Sequence, residues 1–286
     1  MPEIHPTAIV HEMAQIGRDV HIGPYCIVEA ETVIDDGCEL AAHVVVRRSV
    51  VLGKKNRVSE GVVLGGPPQH VRLGSEYGRV AIGDGNTIRE FVTINCALNP
   101  GAVTVIGDGN MIMANVHVGH DCQIGNSIVL VNSVMLAGHV EIHDYAFIGG
   151  GAGIHQFCRV GCHAMVGGLA RICQDVPPFV LIDGESNRVV GLNVVGLKRR
   201  GFSFDEVSIL KSAYRTIYRS ELDWTSVLAK LQKDHSSGPV AEFSKFLTQG
   251  TRGFVQERRS PRRTLRIVPK PMASPSITMD VEDRAA

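Results

Sequence analysis

Four histidines, one aspartate and one glutamine in the middle of the chain have side chains suited to moving protons. In chain order they are His117, His120, Asp121, His139, His155 and Gln156. A histidine can take a proton from a hydroxyl group because its reference pKa is about 6.5. Asp121 can fix the tautomer of a neighbouring ring, and the backbone N–H of Gly138 can stabilise an oxyanion. These are the groups that acyl transfer requires, whereas one such histidine alone would be read as a polar turn residue.

A six-residue repeat defines the elements that position these side chains. Stepping by six from Ile4 to Ile172 gives 29 positions, of which 26 are Ile, Val or Leu. Neither the helical period of about 3.6 residues nor the strand period of about 2 produces this pattern. A solenoid does, if each hexad forms one short side and a turn. The frame is interrupted at residues 65–79 and 95–103, which predicts two loops with functional roles.

The chain beyond Ile172 predicts a different architecture. Paired prolines at 177–178 end the strands, and residues 203–254 predict three helices, the first opened by a capping box from Ser203 to Glu206. We divide the chain into a β-helical domain (1–180), a helical domain (181–256) and a tail (257–286). The tail is rich in Pro, Arg and Ser, which predicts disorder. Contact of its arginines with anionic membrane lipid is the less favoured interpretation.

Composition excludes several classes of protein. Lys plus Arg and Asp plus Glu both number 29, which argues against a dedicated nucleic-acid binder. The N-terminus lacks the pattern of a signal peptide, and no apolar run reaches the roughly 18 residues needed to span a bilayer. Seven cysteines without C-x-x-C spacing fit reduced thiols. We therefore expect a cytoplasmic protein.

The six-residue pattern resembles the hexapeptide repeat of the left-handed β-helix acyltransferases. This resemblance implies a mainly β fold, a left-handed parallel β-helix with three hexads in each triangular coil, followed by a small α-helical C-terminal domain. With that coil length His120 lies under Gly138, and Gly138 under Gln156. Asp121 then lies beneath His139.

A narrower resemblance rests on short strings and their order: HDC at 120–122, LAGH at 136–139, HQF at 155–157, MVGG at 165–168, QDVPP at 174–178 and GLKRRGFS at 196–203. They are similar to the UDP-N-acetylglucosamine O-acyltransferases that open lipid A biosynthesis, over about residues 3–254. The resemblance implies a homotrimer with active sites in clefts between neighbouring prisms. It implies acyl carrier protein bearing a (R)-3-hydroxyacyl group as donor and a UDP-sugar as acceptor, with no cofactor and no metal.

The same resemblance assigns roles to individual residues. His120 matches the general base that deprotonates the sugar 3-hydroxyl, Asp121 the residue that orients it, and Gly138 the oxyanion donor. Gly168 matches the position that ends the acyl groove, and a glycine there predicts a long acyl chain. Substrate contacts are implied for Gln69, Arg72, His117, His139, His155 and Gln156, and at the nucleotide end for Asn193, Arg199 and Arg200.

Several positions depart from the family's pattern, and they open an alternative for the acceptor. The departures are His70 in place of Asp, Arg72 in place of Lys, Asn95-Cys96-Ala97-Leu98 in place of His-Arg-Gly-Thr, Val195 at a commonly acidic place, and Ser186 or Asn187 at a place commonly His. Some relatives acylate a 3-amino analogue of the UDP-sugar, and a changed loop is consistent with that acceptor.

Two further hypotheses give the chain a different function: a zinc enzyme or a protein without catalytic activity. Gamma-class carbonic anhydrases share the hexapeptide fold and bind zinc through three histidines, and His117, His120, His139 and Cys122 are conceivable ligands. The helical domain and the two loops argue against this reading. The chain would alternatively be a non-catalytic trimeric scaffold with the histidines as polar edge residues.

Overall fold

The computed structural model describes residues 1–234 and 237–258, and its short strands form three sheets. The first sheet contains Glu3–Ile4, His21–Ile22, Glu39–Leu40, Arg57–Val58, Thr87–Ile88, Met111–Ile112, Val129–Leu130, Phe147–Ile148, Met165–Val166, Val180–Ile182 and Val189–Leu192. The second contains Ile9–Val10, Ile27–Val28, Val45–Val46, Val63–Gly66, Thr93–Asn95, His117–Val118, Met135–Leu136, Gly153–Ile154 and Arg171–Ile172. The third contains Gln15–Ile16, Val33–Ile34, Val50–Leu52, Arg79–Ile82, Val103–Ile106, Gln123–Ile124, Glu141–Ile142 and Arg159–Val160.

The chain passes through the three sheets in turn, so each coil is a triangle with three edges. Strands of successive coils pair in parallel, as Val118 does with Leu136 in the second sheet. From Ile22 to Ile172 every aliphatic residue of the six-residue frame is buried. Ile4 in the first coil is 41% exposed because no coil precedes it. The repeat therefore forms the core, as predicted.

The two interruptions form adjoining loops on the prism. Leu64 pairs with Ile94 across the first, and Ile82 with Ile106 across the second. The loops are tied together, since the Asn95 side-chain amide donates to the Pro67 carbonyl at 2.6 Å. Both predicted loops are confirmed.

Four helices follow the strands, three of them predicted. They are α1 (Val194–Arg199), α2 (Phe204–Arg219), α3 (Trp224–Asp234) and α4 (Pro239–Gln249). The capping box is present, with Glu206 N–H donating to Ser203 Oγ at 3.2 Å and Ser203 N–H to Glu206 Oε2 at 2.8 Å. In the described part of the chain, no helix is both long and apolar enough to cross a bilayer.

The chain after α4 returns to the last coils of the β-helix. Val255 N–H donates to the Asp175 carbonyl at 2.9 Å, and Asp175 itself pairs with Arg159 at 2.7 Å. Glu257 and Arg258, assigned to the disordered tail, belong instead to the packed fold, because the buried Glu257 carboxylate pairs with Arg219. Residues 259–286, with the predicted disorder and lipid contact, lie outside the described residues. The predicted boundary after residue 180 falls inside strand Val180–Ile182.

Candidate active site

His120 and Asp121 form a hydrogen-bonded pair at the edge between the second and third sheets. His120 Nδ1 lies 2.7 Å from Asp121 Oδ2, and His120 is only 9% exposed. Because a carboxylate accepts, Nδ1 carries the proton, and the lone pair of Nε2 is left to act as a base. The predicted pairing of base and orienting carboxylate is present in the structure.

Asp121 is itself held from two sides by residues that sequence reasoning missed. The Leu98 N–H donates to Asp121 Oδ2 at 3.0 Å, and the Asp121 N–H donates to Thr104 Oγ1 at 2.8 Å. Leu98 belongs to the second loop, and Thr104 is fully buried in the strand that follows it. The second loop thus positions the Asp121 carboxylate, which in turn is hydrogen-bonded to His120. The only signal in the sequence was the break in the repeat at this point.

Gly138 lies directly over the His120 ring, as the predicted stacking of coils requires. A Cβ on Gly138 would lie 2.6 Å from both Cε1 and Nε2 of His120, which is too close for any side chain. Within the described residues the Gly138 N–H has no assigned hydrogen-bond partner. Its amide is therefore available beside the base to a developing oxyanion.

His139 of the predicted cluster and His70, which was outside it, both contact the His120 ring. His139 stacks on Phe157 with centroids 4.6 Å apart and meets His120 edge to face at 5.1 Å. His70 from the first loop meets His120 edge to face at 5.7 Å. Burial lowers the pKa of His139, although the nearby Asp121 opposes the shift. The contacts with His70 and His139 restrict rotation of the His120 ring.

His117 has a hydrogen-bonding partner of its own. Its Nδ1 lies 2.8 Å from Thr93 Oγ1, and burial lowers the pKa of its imidazole. Thr93 lies one coil below His117, where the second loop extends the coil by one hexad. This spacing, which departs from the regular coil length, is why the partner was not predicted.

A groove of about 660 Å³ runs along the second sheet and opens onto this edge. It brings together Gln69, His117, His120, Gly138, His155 and Gln156 among the predicted residues, with His70, Arg171 and Cys173 in addition. Asp121 and His139 lie next to His120 but do not line the groove. Arg72 is exposed on the first loop and lies outside it. Four of the predicted substrate contacts, Gln69, His117, His155 and Gln156, thus share one surface with His120.

The predicted nucleotide-binding residues lie in a second groove, of about 570 Å³, between the first sheet and α1. Asn193, Arg199 and Arg200 line it together with Tyr145 and His163. The Arg200 guanidinium lies 4.7 Å from the Tyr145 ring centroid. Burial, with a smaller effect of Arg200, lowers the pKa of His163. Tyr145 and His163 were not predicted to be site residues.

Asn193 also has a structural role. Its Oδ1 accepts from the Gly196 N–H at 3.1 Å and caps α1, and its Nδ2 donates to the His163 carbonyl at 3.0 Å. A contact with nucleotide would use the second N–H of Nδ2 or the second lone pair of Oδ1. Asn193 is a residue type that favours helix caps, but α1 has only 6 residues and begins with Val-Val-Gly, which gives too little helix propensity and periodicity to indicate a helix.

His120, the residues of the second groove and Gly168 lie on three different edges of one chain. His120 is at the edge between the second and third sheets, whereas Tyr145 and His163 are between the third and first. Gly168 lies between the first and second sheets, where it is exposed and a Cβ would meet the Gly150 carbonyl oxygen at 3.2 Å. A single chain therefore does not bring His120, the two arginines and Gly168 together.

The cluster of His120, Asp121 and His139 also has the donor set of a metal site. One atom from each lies within 4.8 Å of the others. Cys122 does not join them, because it is fully buried and its Sγ donates to the Ala137 carbonyl at 3.2 Å. Burial raises the pKa of this thiol to about 12, which disfavours the thiolate that zinc requires. Cys122 therefore cannot serve as the conceivable zinc ligand.

Comparison with known proteins gives consistent family matches. A family profile described as "Udp N-acetylglucosamine O-acyltransferase; Domain 2" matches residues 175–255, and the bacterial transferase hexapeptide profile matches residues 13–48. The acyl-[acyl-carrier-protein]--UDP-N-acetylglucosamine O-acyltransferases of Burkholderia orbicola and Burkholderia vietnamiensis are 42% and 44% identical over 262 residues, which cover 90% of this chain and all of each relative.

Solved structures show the same architecture. The UDP-N-acetylglucosamine acyltransferase of Francisella novicida is 37% identical with a TM-score of 0.85, over 90% of this chain and 95% of that one. The Campylobacter jejuni enzyme is 36% identical with a TM-score of 0.84, over 90% of this chain and all of that one. These matches confirm the predicted left-handed parallel β-helix with a helical C-terminal part. The chain belongs to the UDP-N-acetylglucosamine O-acyltransferase family.

Proposed function

We propose that the chain transfers a (R)-3-hydroxyacyl group from acyl carrier protein to the 3-hydroxyl of UDP-N-acetylglucosamine, the first step of lipid A biosynthesis, in the cytoplasm. One observation carries this proposal: His120 is bound to Asp121 at 2.7 Å and covered by Gly138, at the wall of a groove. The names of the relatives support the same reaction class.

The arrangement provides a complete path for the proton. Nε2 of His120 takes the proton of the sugar hydroxyl while the oxygen attacks the thioester carbonyl, and Asp121 stabilises the imidazolium that forms. The Gly138 N–H donates to the oxyanion of the tetrahedral intermediate. When the carbon–sulfur bond breaks, the imidazolium returns its proton to the departing pantetheine sulfur. An ester and a free thiol result, and His120 is neutral again.

A homotrimer would unite the groups that one chain holds apart. In a cyclic trimer the edge that bears His120 can face a neighbour's edge that bears Tyr145, Arg199 and Arg200. The sugar would then meet the base of one copy while its diphosphate meets the arginines of the next, where guanidinium groups suit phosphate oxygens. This geometry is the reason for proposing three copies rather than a monomer.

The remaining contacts follow from the two grooves. Five residues lie in or beside the groove that contains His120, and we assign them to contacts with the sugar and the pantetheine arm. They are Gln69, His117, His139, His155 and Gln156. Arg72, exposed on the first loop, is assigned to the phosphopantetheine. Asn193 is assigned to the nucleotide, and Gly168 to the end of the acyl groove.

The positions that depart from the family's pattern bear on the acceptor in different ways. His70 lines the groove, so it can contact the acceptor directly. Asn95, Cys96 and Ala97 are buried, and Leu98 acts through Asp121. We therefore assign the changed second loop to the setting of the base, and His70 to a contact that bears on the choice between hydroxyl and amino acceptors.

An acyl-transfer assay tests the proposal. Purified protein is offered 3-hydroxyacyl carrier proteins of several chain lengths, with UDP-N-acetylglucosamine or its 3-amino analogue, and products are identified by mass spectrometry. The proposal expects an ester of UDP-N-acetylglucosamine. Amide formation with the analogue alone would assign the other acceptor. Absence of both products, together with zinc-dependent hydration of carbon dioxide, would contradict acyl transfer.

A further inference from the structure

Arg252 contacts a residue of the catalytic groove from the segment that follows α4. Its Nη2 lies 3.3 Å from Nδ1 of His155, which lines the groove. The segment is fixed to the β-helix, because the Asp175 N–H donates to the Gly253 carbonyl at 3.0 Å. At Gly250 a Cβ would meet Arg159 Nη2 at 2.7 Å, so the chain passes closely over the end of the prism. Arg252 is thereby held against His155.

In the hydrogen bond between Arg252 and His155, only Arg252 can be the donor. A guanidinium has five N–H donors and no acceptor, so the Nδ1 atom of His155 must accept. A neutral imidazole that accepts at Nδ1 carries its proton on Nε2. The competing arrangement is also within reach, since Nδ1 lies 3.3 Å from the Gln156 carbonyl and could donate to it if it carried the proton. The contact with Arg252 favours the first tautomer, and the contact with the Gln156 carbonyl favours the second.

The guanidinium is not occupied by another charged partner. Among residues 1–234 and 237–258 no carboxylate lies within ion-pair distance of Arg252. Its Nε is buried and has no hydrogen-bond partner in the described part of the chain. By contrast, Arg159, the neighbouring arginine, is paired with Asp175. Arg252 also contacts the Cys158 thiol, where it partly offsets the rise in the thiol pKa to about 11 that burial causes. Arg252 is thus held by two neutral groups, Cys158 and His155, rather than by an ion pair.

We propose that Arg252 is a positioning residue that holds His155 in the Nε2–H tautomer, so that His155 presents a hydrogen-bond donor to an oxygen of the bound substrate. The proposal rests on the proposed function only for the identity of that substrate. A carbonyl or hydroxyl oxygen of the sugar or of the pantetheine arm has the required chemistry, because each can accept from an imidazole N–H.

The tautomer can be measured without any activity. In ¹⁵N-histidine-labelled protein, long-range ¹H–¹⁵N spectra distinguish the two neutral tautomers, and a His155→Gln variant assigns the signal. We expect the Nε2–H form in the wild-type protein and the Nδ1–H form in Arg252→Met, with the Nε2–H form retained in Arg252→Lys, because lysine also only donates. An Nδ1–H tautomer in the wild type, or an unchanged one in Arg252→Met, overturns the proposal.

Kinetics test whether Arg252 acts through His155. Loss of one hydrogen bond predicts a roughly fivefold lower kcat/KM for Arg252→Met. In a His155→Ala background the same change is expected to have no further effect. Arg215→Met, at an exposed position of α2, is the matched control. An undiminished effect of Arg252→Met in the His155→Ala background contradicts the proposal, whereas inactivity of the wild type contradicts only the proposed function.

Thermal denaturation of each variant accompanies these measurements. If Arg252→Met does not fold, Arg252→Lys provides the test. Its His155 tautomer and its activity are then compared with those of Arg215→Met, and both are expected to be retained. A lysine variant with normal stability and the Nδ1–H tautomer would also overturn the assignment.

Discussion

Replacing Gly138 by alanine tests the geometry of the base without removing any of the proposed catalytic groups. The new Cβ would lie 2.6 Å from Cε1 and Nε2 of His120. Carbon atoms pack at about 3.5–4.0 Å, so the ring must move by about 1 Å. His120 cannot move freely, because it is bound to Asp121 at 2.7 Å and meets His70 and His139 edge to face.

A displacement of about 1 Å at a reacting group can cost roughly 10²-fold in rate. We therefore expect Gly138→Ala to lower kcat about 10²-fold in the acyl-transfer assay, while the backbone N–H is retained. The thermal midpoint should change little, since the residue lies at the edge of the prism and its φ is not in the left-handed region. Gly74→Ala is the matched control, because its Cβ would meet no atom closer than 3.6 Å. Activity of Gly138→Ala within about threefold of wild type would refute this account of the base.

Three further predictions concern charge, acyl length and pH. Asp121→Asn retains an acceptor oxygen for His120 but loses the charge that stabilises the imidazolium, so kcat should fall at least about 10²-fold with little change in KM; a wild-type kcat would contradict the orienting role. Gly168→Met should shift the preferred acyl donor to a shorter chain in competition between carrier proteins, and an unchanged preference would refute its role at the groove end. Burial lowers the pKa of His163 below its value in the unfolded chain. At a pH near 6.5 the unfolded chain therefore binds more protons than the folded protein. The free energy of unfolding consequently decreases as pH falls through about 6.5. His163→Phe should therefore lose less thermal stability than wild type between about pH 7.5 and about pH 5.5, and equal losses would contradict this cause.

The sequence was most informative where the fold repeats. Because each hexad contributes one buried aliphatic, a single frame predicted the core from Ile22 to Ile172 and both loops. The family's coil length then placed Gly138 over His120 and Asp121 beside His139, as the structure has them. In a regular solenoid, residues one coil length apart in the sequence are neighbours in the structure. An irregular fold has no such fixed relation between sequence separation and contact.

The parts that were not predicted depend on irregular segments. The Leu98 N–H that holds Asp121 comes from a loop, where backbone direction has no sequence period. The Arg252 contact joins residues 97 positions apart, and it exists because the chain folds back after α4. Tyr145 and His163 stack as successive corner residues, with centroids 4.8 Å apart, but corner positions accept many residue types. Loops and chain reversals thus supply the finer organisation of the site.

The proposed chemistry depends most directly on His120, and His120→Ala is the variant that tests it. With saturating 3-hydroxyacyl carrier protein and UDP-N-acetylglucosamine, loss of general-base assistance predicts a kcat lower by roughly 10²–10⁴-fold. The variant should still assemble like the wild type, because the ring lies at an edge and outside the aliphatic core. A purified, folded His120→Ala protein that forms the ester at close to the wild-type rate would contradict the assignment of the base.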